Sequence, residues 1–297
     1  MNLEDKIQVI YIAGGGHSGS TILSVILGTS PEIFSAGELK FYNEHKVLDH
    51  PMWEYIENVC MCGKDANDCP FWHEVKERSN RELDTFHYSN IQEKVATAIK
   101  ILWPFYHIPK TTKALDDYTL IKNVYQEALS DKLTTRYILD SSKSVARLMH
   151  LQSHPLLDVK VIFLVRDGRG YANSYAKVYK KGFLRWIIQW VLNNILTLVY
   201  LKREKIDYYY LSYNALCKQS SKELTAIGKK FNVHIPENYV EIVKAQKYHM
   251  RAGNPSRSAI EMFSGLELDD NWRQEMSKAK FVISSTLLYL FNRWWVY

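Results

Sequence analysis

Four short runs in this chain are apolar almost without interruption and rich in β-branched or aromatic residues: Ile7–Ala13 (IQVIYIA), Tyr137–Leu139 (YIL), Val159–Val165 (VKVIFLV) and Ile206–Leu211 (IDYYYL). A fifth and weaker run is Ile33–Ser35. A strand that is apolar on both faces must be covered on both faces, which is the condition of a parallel sheet between helical layers. Each run is followed by polar or Gly-bearing residues and then by a helical pattern. The expectation is therefore a doubly wound α/β sheet, with its chemistry beyond the carboxyl ends of the strands.

The chain is long enough to bury such a sheet. Its 297 residues are 46% hydrophobic and 13% aromatic, which excludes disorder as the main state. The net charge of +6 suits a small polyanionic ligand, and no run of five Lys or Arg marks a nucleic-acid tail, so nucleic acid is not an expected partner. The opening Met-Asn-Leu-Glu-Asp-Lys has none of the pattern of a secretory leader, and a cytoplasmic enzyme is expected.

Residues 41–135 break the strand–helix rhythm. They are aromatic-rich and carry helical patterns at Ile91–Trp103 and Leu115–Leu129, so they read as a helical insertion within one domain spanning 1–297. The run Phe183–Leu201 has the apolarity of a membrane span, but Arg185, Gln189 and Asn193 recur every four residues, with Asn194 beside the last. A bilayer centre penalises such a stripe, so a buried helix is expected. The competing reading is a helix lying on a membrane surface, flanked by Lys180, Lys181, Lys202, Arg203 and Lys205 and carrying Trp186 and Trp190.

Gly14-Gly15-Gly16-His17-Ser18-Gly19-Ser20-Thr21 follows the first strand and precedes the apolar helix Ile22–Leu27. Successive backbone N–H groups running into a helix N-terminus make an anion cradle. A Walker A loop would carry Lys where Ser20 stands, so an ATP phosphotransferase of that type is not expected. Gly14-x-Gly16-x-x-Gly19 also matches the dinucleotide fingerprint, with Glu38 nineteen residues beyond it. A dinucleotide-binding oxidoreductase is thus the alternative reading.

The second anion motif is Val161-Ile-Phe-Leu-Val-Arg166-Asp-Gly-Arg-Gly-Tyr-Ala-Asn-Ser174. A buried strand delivers Arg166 to its carboxyl end, and Ser174 falls on the following helix. Arg offers a planar fork matched to phosphate, and the hydroxyl adds a neutral donor. A dehydrogenase leaves this second site idle.

Together the two motifs resemble the phosphate-binding segments of sulfotransferases that use 3′-phosphoadenosine 5′-phosphosulfate (PAPS). The Ser-Gly-Ser-Thr loop is similar to their 5′-phosphosulfate loop, where Lys or Arg usually stands at the position of His17. Arg166 and Ser174 are similar to their 3′-phosphate pair. Leu139-Asp140-Ser141-Ser142-Lys143 resembles an Asp-Ser-Ser-Lys segment of the bacterial enzymes. Tyr208–Leu216, with Tyr213, resembles a strand ending in Tyr-Glu-x-Leu, with Asn214 in place of the acid. Gly253-Asn254-Pro255-Ser256-Arg257 resembles their late Gly-Asn-Pro loop. The resemblance implies a nucleotide-kinase-like, three-layer α/β sandwich with a helical insertion. It also implies PAPS held by Gly16, His17, Ser18, Gly19, Ser20, Thr21, Arg166, Ser174, Tyr213 and Arg257, and a hydroxyl acceptor on a small molecule, glycan or lipid. Protein-tyrosine sulfotransferases place their catalytic Glu where Glu38 stands, so Glu38 is the implied base. Asp140 and Glu32 are weaker carboxylate candidates. His17 is the implied donor to the leaving group, with Lys143 as a fixed positive charge.

Cys60-x-Cys62-x6-Cys69-x3-His73 offers four potential zinc ligands, although the Cys-x-Cys spacing is tighter than the usual two to four intervening residues. A loop of reduced thiols without metal is the simpler expectation, with a disulfide the other alternative.

Overall fold

The computed structural model of the chain describes residues 6–42, 60–79, 83, 91–103, 115–179, 182–251, 260 and 262–297. Five strands form one wholly parallel sheet: β1 (Ile7–Gly14), β2 (Ile33–Gly37), β3 (Tyr137–Lys143), β4 (Leu157–Val165) and β5 (Tyr208–Ser212), in the order β2-β3-β1-β4-β5. Successive side chains of β1 go to opposite faces. Val9, Tyr11 and Ala13 enter one apolar core, and Ile10 and Ile12 enter the other, all fully buried. The expected sandwich of helices around a parallel sheet follows directly.

One helical layer holds α1 (Ser20–Leu27), and its core also takes Leu216, Leu224, Ile227 and Val243 from three later helices, α8 (Tyr213–Lys218), α9 (Ser220–Phe231) and α10 (Tyr239–Ala245). The other layer is built by α2 (Pro70–Glu77), α3 (Ile91–Leu102), α4 (Leu115–Asp131), α5 (Val145–Ser153), α6 (Gly168–Tyr179) and α7 (Phe183–Arg203). The helices between β2 and β3 thus share the core of the sheet: Trp72, Leu120 and Val124 pack in the same cluster as Phe163 and Leu148. Three short C-terminal helices, α11 (Trp272–Glu275), α12 (Lys278–Leu287) and α13 (Tyr289–Trp295), complete the chain.

All five strands extend or shift by one to four residues against expectation, and β3 and β5 show why. β3 runs four residues further, through Asp140-Ser141-Ser142-Lys143, because its buried polar groups are paired internally: the Asp140 carboxylate accepts from the Ser142 amide at 2.9 Å and from Arg147 Nε at 2.7 Å. β5 begins two residues late. The Ile206 amide donates to Leu201 O at 2.9 Å, closing a turn after α7 in which Lys205 takes a φ of 52°.

The strand order also decides between the two nucleotide readings. In a dinucleotide fold the second strand lies beside the first, so its terminal acid meets the ribose. Here β3 lies between β1 and β2. The oxidoreductase alternative loses its topology.

Helix α7 has the length and composition of a membrane span. One of its faces packs against the protein through Trp186, Trp190, Asn194, Thr197 and Leu201. The opposite face leaves Leu184, Ile188 and Leu192 more than half exposed. Part of its polar stripe serves the sheet: Asn193 Nδ2 donates to Gly14 O at 2.7 Å, and Trp190 Nε1, on the neighbouring turn, donates to Arg166 O at 3.0 Å.

Candidate active site

Every strand delivers a singled-out residue to its carboxyl end. β1 runs into the Gly-rich loop, β2 into Glu38, β3 ends on Lys143, β4 runs into Arg166 and β5 into Tyr213. Parallel register keeps these ends level: Ala13 lies opposite Lys143, Gly37 opposite Asp140, and Val165 opposite Ser212. A parallel sheet gathers its strand ends in this way whatever their sequence separation.

The loop is shaped by the rings around it. Gly19 precedes α1 with a φ of 85°, and a Cβ there would stand 2.5 Å from the Tyr213 ring. A Cβ on Gly16 would overlap the Tyr175 hydroxyl. Only glycine fits either place. Ser18 and Ser20 are buried, Thr21 is half-buried, and the Ser18 hydroxyl donates to Gly16 O at 3.3 Å. The amides opening α1 have no intrahelical acceptor and carry the positive end of its dipole.

His17 and Lys143 both hold left-handed backbone, with φ of 51° and 62°. Such conformations cost a non-glycine residue ~1–3 kcal/mol and collect at functional sites. Lys143 supplies the cation that the loop lacks. Its ammonium pairs with Glu38 Oε1 at 2.6 Å and donates to Ser141 O at 2.9 Å. Lys40 approaches the second Glu38 oxygen at 3.3 Å. Burial alone would raise the Glu38 carboxyl, but the Lys143 and Lys40 cations outweigh it and leave Glu38 below its ordinary value. Burial pulls Lys143 down, with Glu38 opposing. Glu38 is thus ionised at neutral pH, and its basicity is held down by the two cations beside it.

His17 lies edge-on to Tyr175, ring centroids 4.7 Å apart. Burial first, then the Lys143 and Arg166 cations, lower it from 6.5 to about 4, against the pull of Glu38. In the free protein it is therefore neutral at pH 7, and a bound anion would oppose the shift. The folded value lies below the unfolded one, so the stabilisation is complete above pH 6.5 and is lost as pH falls towards 4. The denaturant midpoint of the wild type should drop between pH 7 and pH 5 more than that of His17→Gln. An NMR titration that finds the free His17 ring near its ordinary value contradicts this.

Arg166 is 7% exposed and points its guanidinium at the loop. It donates to His17 O at 3.0 Å, lies 5.0 Å above the Tyr213 ring, and pairs with Asp269 at 2.8 Å. The neighbouring Arg169 turns the other way, paired with Asp167 at 2.6 Å and lying over Trp272. The two arginines of the motif are thus divided between site and scaffold. Ser174 lies half-buried on α6. Arg257, with the rest of the 253–257 loop, lies outside the described residues.

Two carboxylates drop out as bases. Asp140 is fully buried and saturated by Ser142 and Arg147. Glu32 sits at the amino end of β2, held by Arg136 at 2.6 Å and by the His234 amide at 2.9 Å, at the wrong end of the sheet. His73 also leaves the cysteine set, since it lies beside Glu74 on the outer face of α2. The structure adds Tyr175, Asn193 and Asp269. Tyr175 had a signal in the i, i+4 stripe Tyr171, Tyr175, Tyr179, and Asn193 in the polar stripe of α7; Asp269 had none.

No protein-family model matches the chain, and no curated sequence does. Among solved structures, it is similar to the sulfotransferase domain of the Synechococcus PCC 7002 olefin synthase, at 16% identity, with a TM-score of 0.51 over 96% of each chain. Other matches are the sulfotransferase domain from the curacin biosynthetic pathway (15% identity, TM-score 0.49, 95% of this chain and 97% of that one) and sulfotransferase STF9 from Mycobacterium avium (12%, 0.49, 97% and 76%). The olefin synthase likeness covers nearly the whole chain, and the chain has the fold of a sulfotransferase domain.

Proposed function

We propose that the chain is a sulfotransferase that moves a sulfuryl group from PAPS to a hydroxyl of a small-molecule, glycan or lipid acceptor. The observation that supports this best is the meeting of the Gly-rich loop, the Glu38–Lys143 pair and Arg166 at one end of the sheet. A cradle of amides, one cation beside it and one guanidinium across from it form a divided anion site, suited to a ligand with two separated phosphate-like groups. PAPS supplies an activated sulfuryl group on its 5′-phosphate and a second phosphate on its 3′-oxygen.

Gly16 to Thr21 hold the 5′ end through backbone amides and hydroxyls. Arg166 takes the 3′-phosphate as a charge-assisted fork, with Ser174 adding a neutral donor, and gives up Asp269 to do so. Tyr213 walls the loop between the two, and Arg257 is assigned to the same phosphate by its motif. Glu38 accepts the acceptor proton as the hydroxyl oxygen bonds to sulfur. Lys143 neutralises charge on the departing phosphate oxygen. The two roles are coupled, because an arriving anion draws Lys143 away from Glu38 and so raises the basicity of Glu38. Positioning and preorganised charge carry such in-line transfers.

The test is incubation of the full chain with sulfate-labelled PAPS and a metabolite extract. The label should move to a hydroxyl-bearing product only in the presence of enzyme, with adenosine 3′,5′-bisphosphate released in equal amount. Label that stays on the nucleotide across extracts rich in alcohols, phenols, glycans and lipids contradicts the proposal.

A further inference from the structure

The early cysteines meet a residue from the far end of the chain. Cys60 and Cys62 flank a tight turn closed by the Gly63 amide on Cys60 O at 2.9 Å, and Cys69 stands at the start of α2. His249 lies on the irregular segment that follows α10. The three Sγ atoms and a ring nitrogen of His249 all lie within 4.8 Å of one another. Cys62 Sγ is 3.7 Å from Cys69 Sγ, and His249 Nδ1 is 3.2 Å from Cys69 Sγ and 3.9 Å from Cys60 Sγ. A tetrahedron with Zn–S of ~2.3 Å and Zn–N of ~2.1 Å has S···S edges of about 3.8 Å and S···N edges of about 3.6 Å. The observed separations bracket those edges. Cys60 and Cys69 are fully buried, and the Phe71 ring stacks on His249 at 5.5 Å.

We propose that Cys60, Cys62, Cys69 and His249 form a structural Cys3His zinc site. Three thiolates and one imidazole are a donor set that favours zinc, and four protein ligands close the coordination sphere against substrate. A Cys62–Cys69 disulfide would leave Cys60 and His249 converging on nothing. Local spacing pointed to His73 as the fourth ligand; the fold brings His249 instead, 180 residues after Cys69.

The site lies against the proposed base. Two residues after His249, Arg251 receives the Glu38 amide on its carbonyl at 2.8 Å and donates its own amide to Ala36 O at 3.0 Å. The Met61 amide, between two of the cysteines, donates to Met250 O at 3.0 Å. A metal here ties the cysteine turn to the 249–251 segment, and that segment holds the backbone of Glu38. This positioning role rests on the sulfotransferase reading; the metal site itself does not.

The experiment is metal analysis of the full chain, purified under reducing conditions with neither chelator nor histidine tag. About one zinc per chain is expected. Cobalt(II) reconstitution of the chelator-stripped wild type should give the visible ligand-field bands of a tetrahedral site together with thiolate-to-cobalt charge transfer. Cys69→Ser and His249→Gln should lose the metal, whereas His73→Gln and Cys217→Ser keep it. The wild-type cobalt spectrum reports the ligand set even where a ligand variant fails to fold. Protein that carries no zinc and gives no tetrahedral cobalt spectrum overturns the proposal. So does a Cys62–Cys69 disulfide found by non-reducing peptide mapping of natively purified protein, or retention of metal by folded Cys69→Ser and His249→Gln.

Discussion

Glu38→Gln should lower the rate of sulfuryl transfer by ~10²–10⁴, the usual contribution of a positioned general base, while affinity for adenosine 3′,5′-bisphosphate holds or rises. The second half of that expectation comes from Lys143. Its ammonium lies 2.6 Å from Glu38, so removing the carboxylate charge leaves Lys143 unneutralised and more attractive to an anion. The carboxamide keeps the shape of the side chain and its backbone bond to Arg251, so the loss reports basicity rather than collapse of the turn. Single-turnover kinetics with the acceptor found by labelled transfer is the measurement. A variant with near-normal chemistry in single turnover means that Glu38 is not the base, and no other carboxylate named from the sequence is placed to replace it.

Arg147→Met should cost ~3–5 kcal/mol of stability, the penalty for breaking one member of a buried ion cluster. Arg147 is fully buried, with Nε 2.7 Å from Asp140 and Nη1 2.5 Å from Asp117. Methionine fills much of its volume but leaves two buried carboxylates without their cation. For a chain of this size that corresponds to a fall in Tm of roughly 5–8 °C. The effect should propagate into the site, because Asp140 holds the Ser142 amide immediately before Lys143. Replacing Asp117 and Asp140 by Asn in the same background should recover much of the loss, since the uncompensated charge is then gone. Urea unfolding of the three proteins at pH 7 checks this; equal midpoints for wild type and Arg147→Met contradict it.

What could be read from the sequence divides along physical lines. Strands covered on both faces are written as continuous apolar runs, so β1, β4 and the start of β3 were visible. The polar tail of β3 was not, because the pairings that satisfy it, Asp140 with Ser142 and Arg147 and Lys143 with the distant Glu38, exist only once strand, helix and sheet are folded together. The Gly-rich loop was legible because a backbone cradle must be built from residues without bulk. Arg166 was legible because its strand delivers it. Asp269 and His249 reach their partners from 103 and 180 residues away, and only the fold brings them there. The polar stripe of α7 was seen, but its use was not: Asn193 secures the loop carbonyl at Gly14. The expected charge of His17 depended on a ligand, whereas in the free site the nearest charges include two cations.

The central claim is that this divided anion site reads two phosphates, and calorimetric titration tests it most directly. A charge-assisted contact to a largely buried guanidinium contributes ~1.5–3 kcal/mol, or roughly 10- to 150-fold in affinity. Adenosine 3′,5′-bisphosphate should bind wild-type protein tighter than adenosine 5′-monophosphate by that factor, and Arg166→Ala should remove most of the difference while leaving the monophosphate nearly unchanged. Equal affinity of the wild type for the two nucleotides, or tighter binding of NAD than of the bisphosphate, would contradict the account.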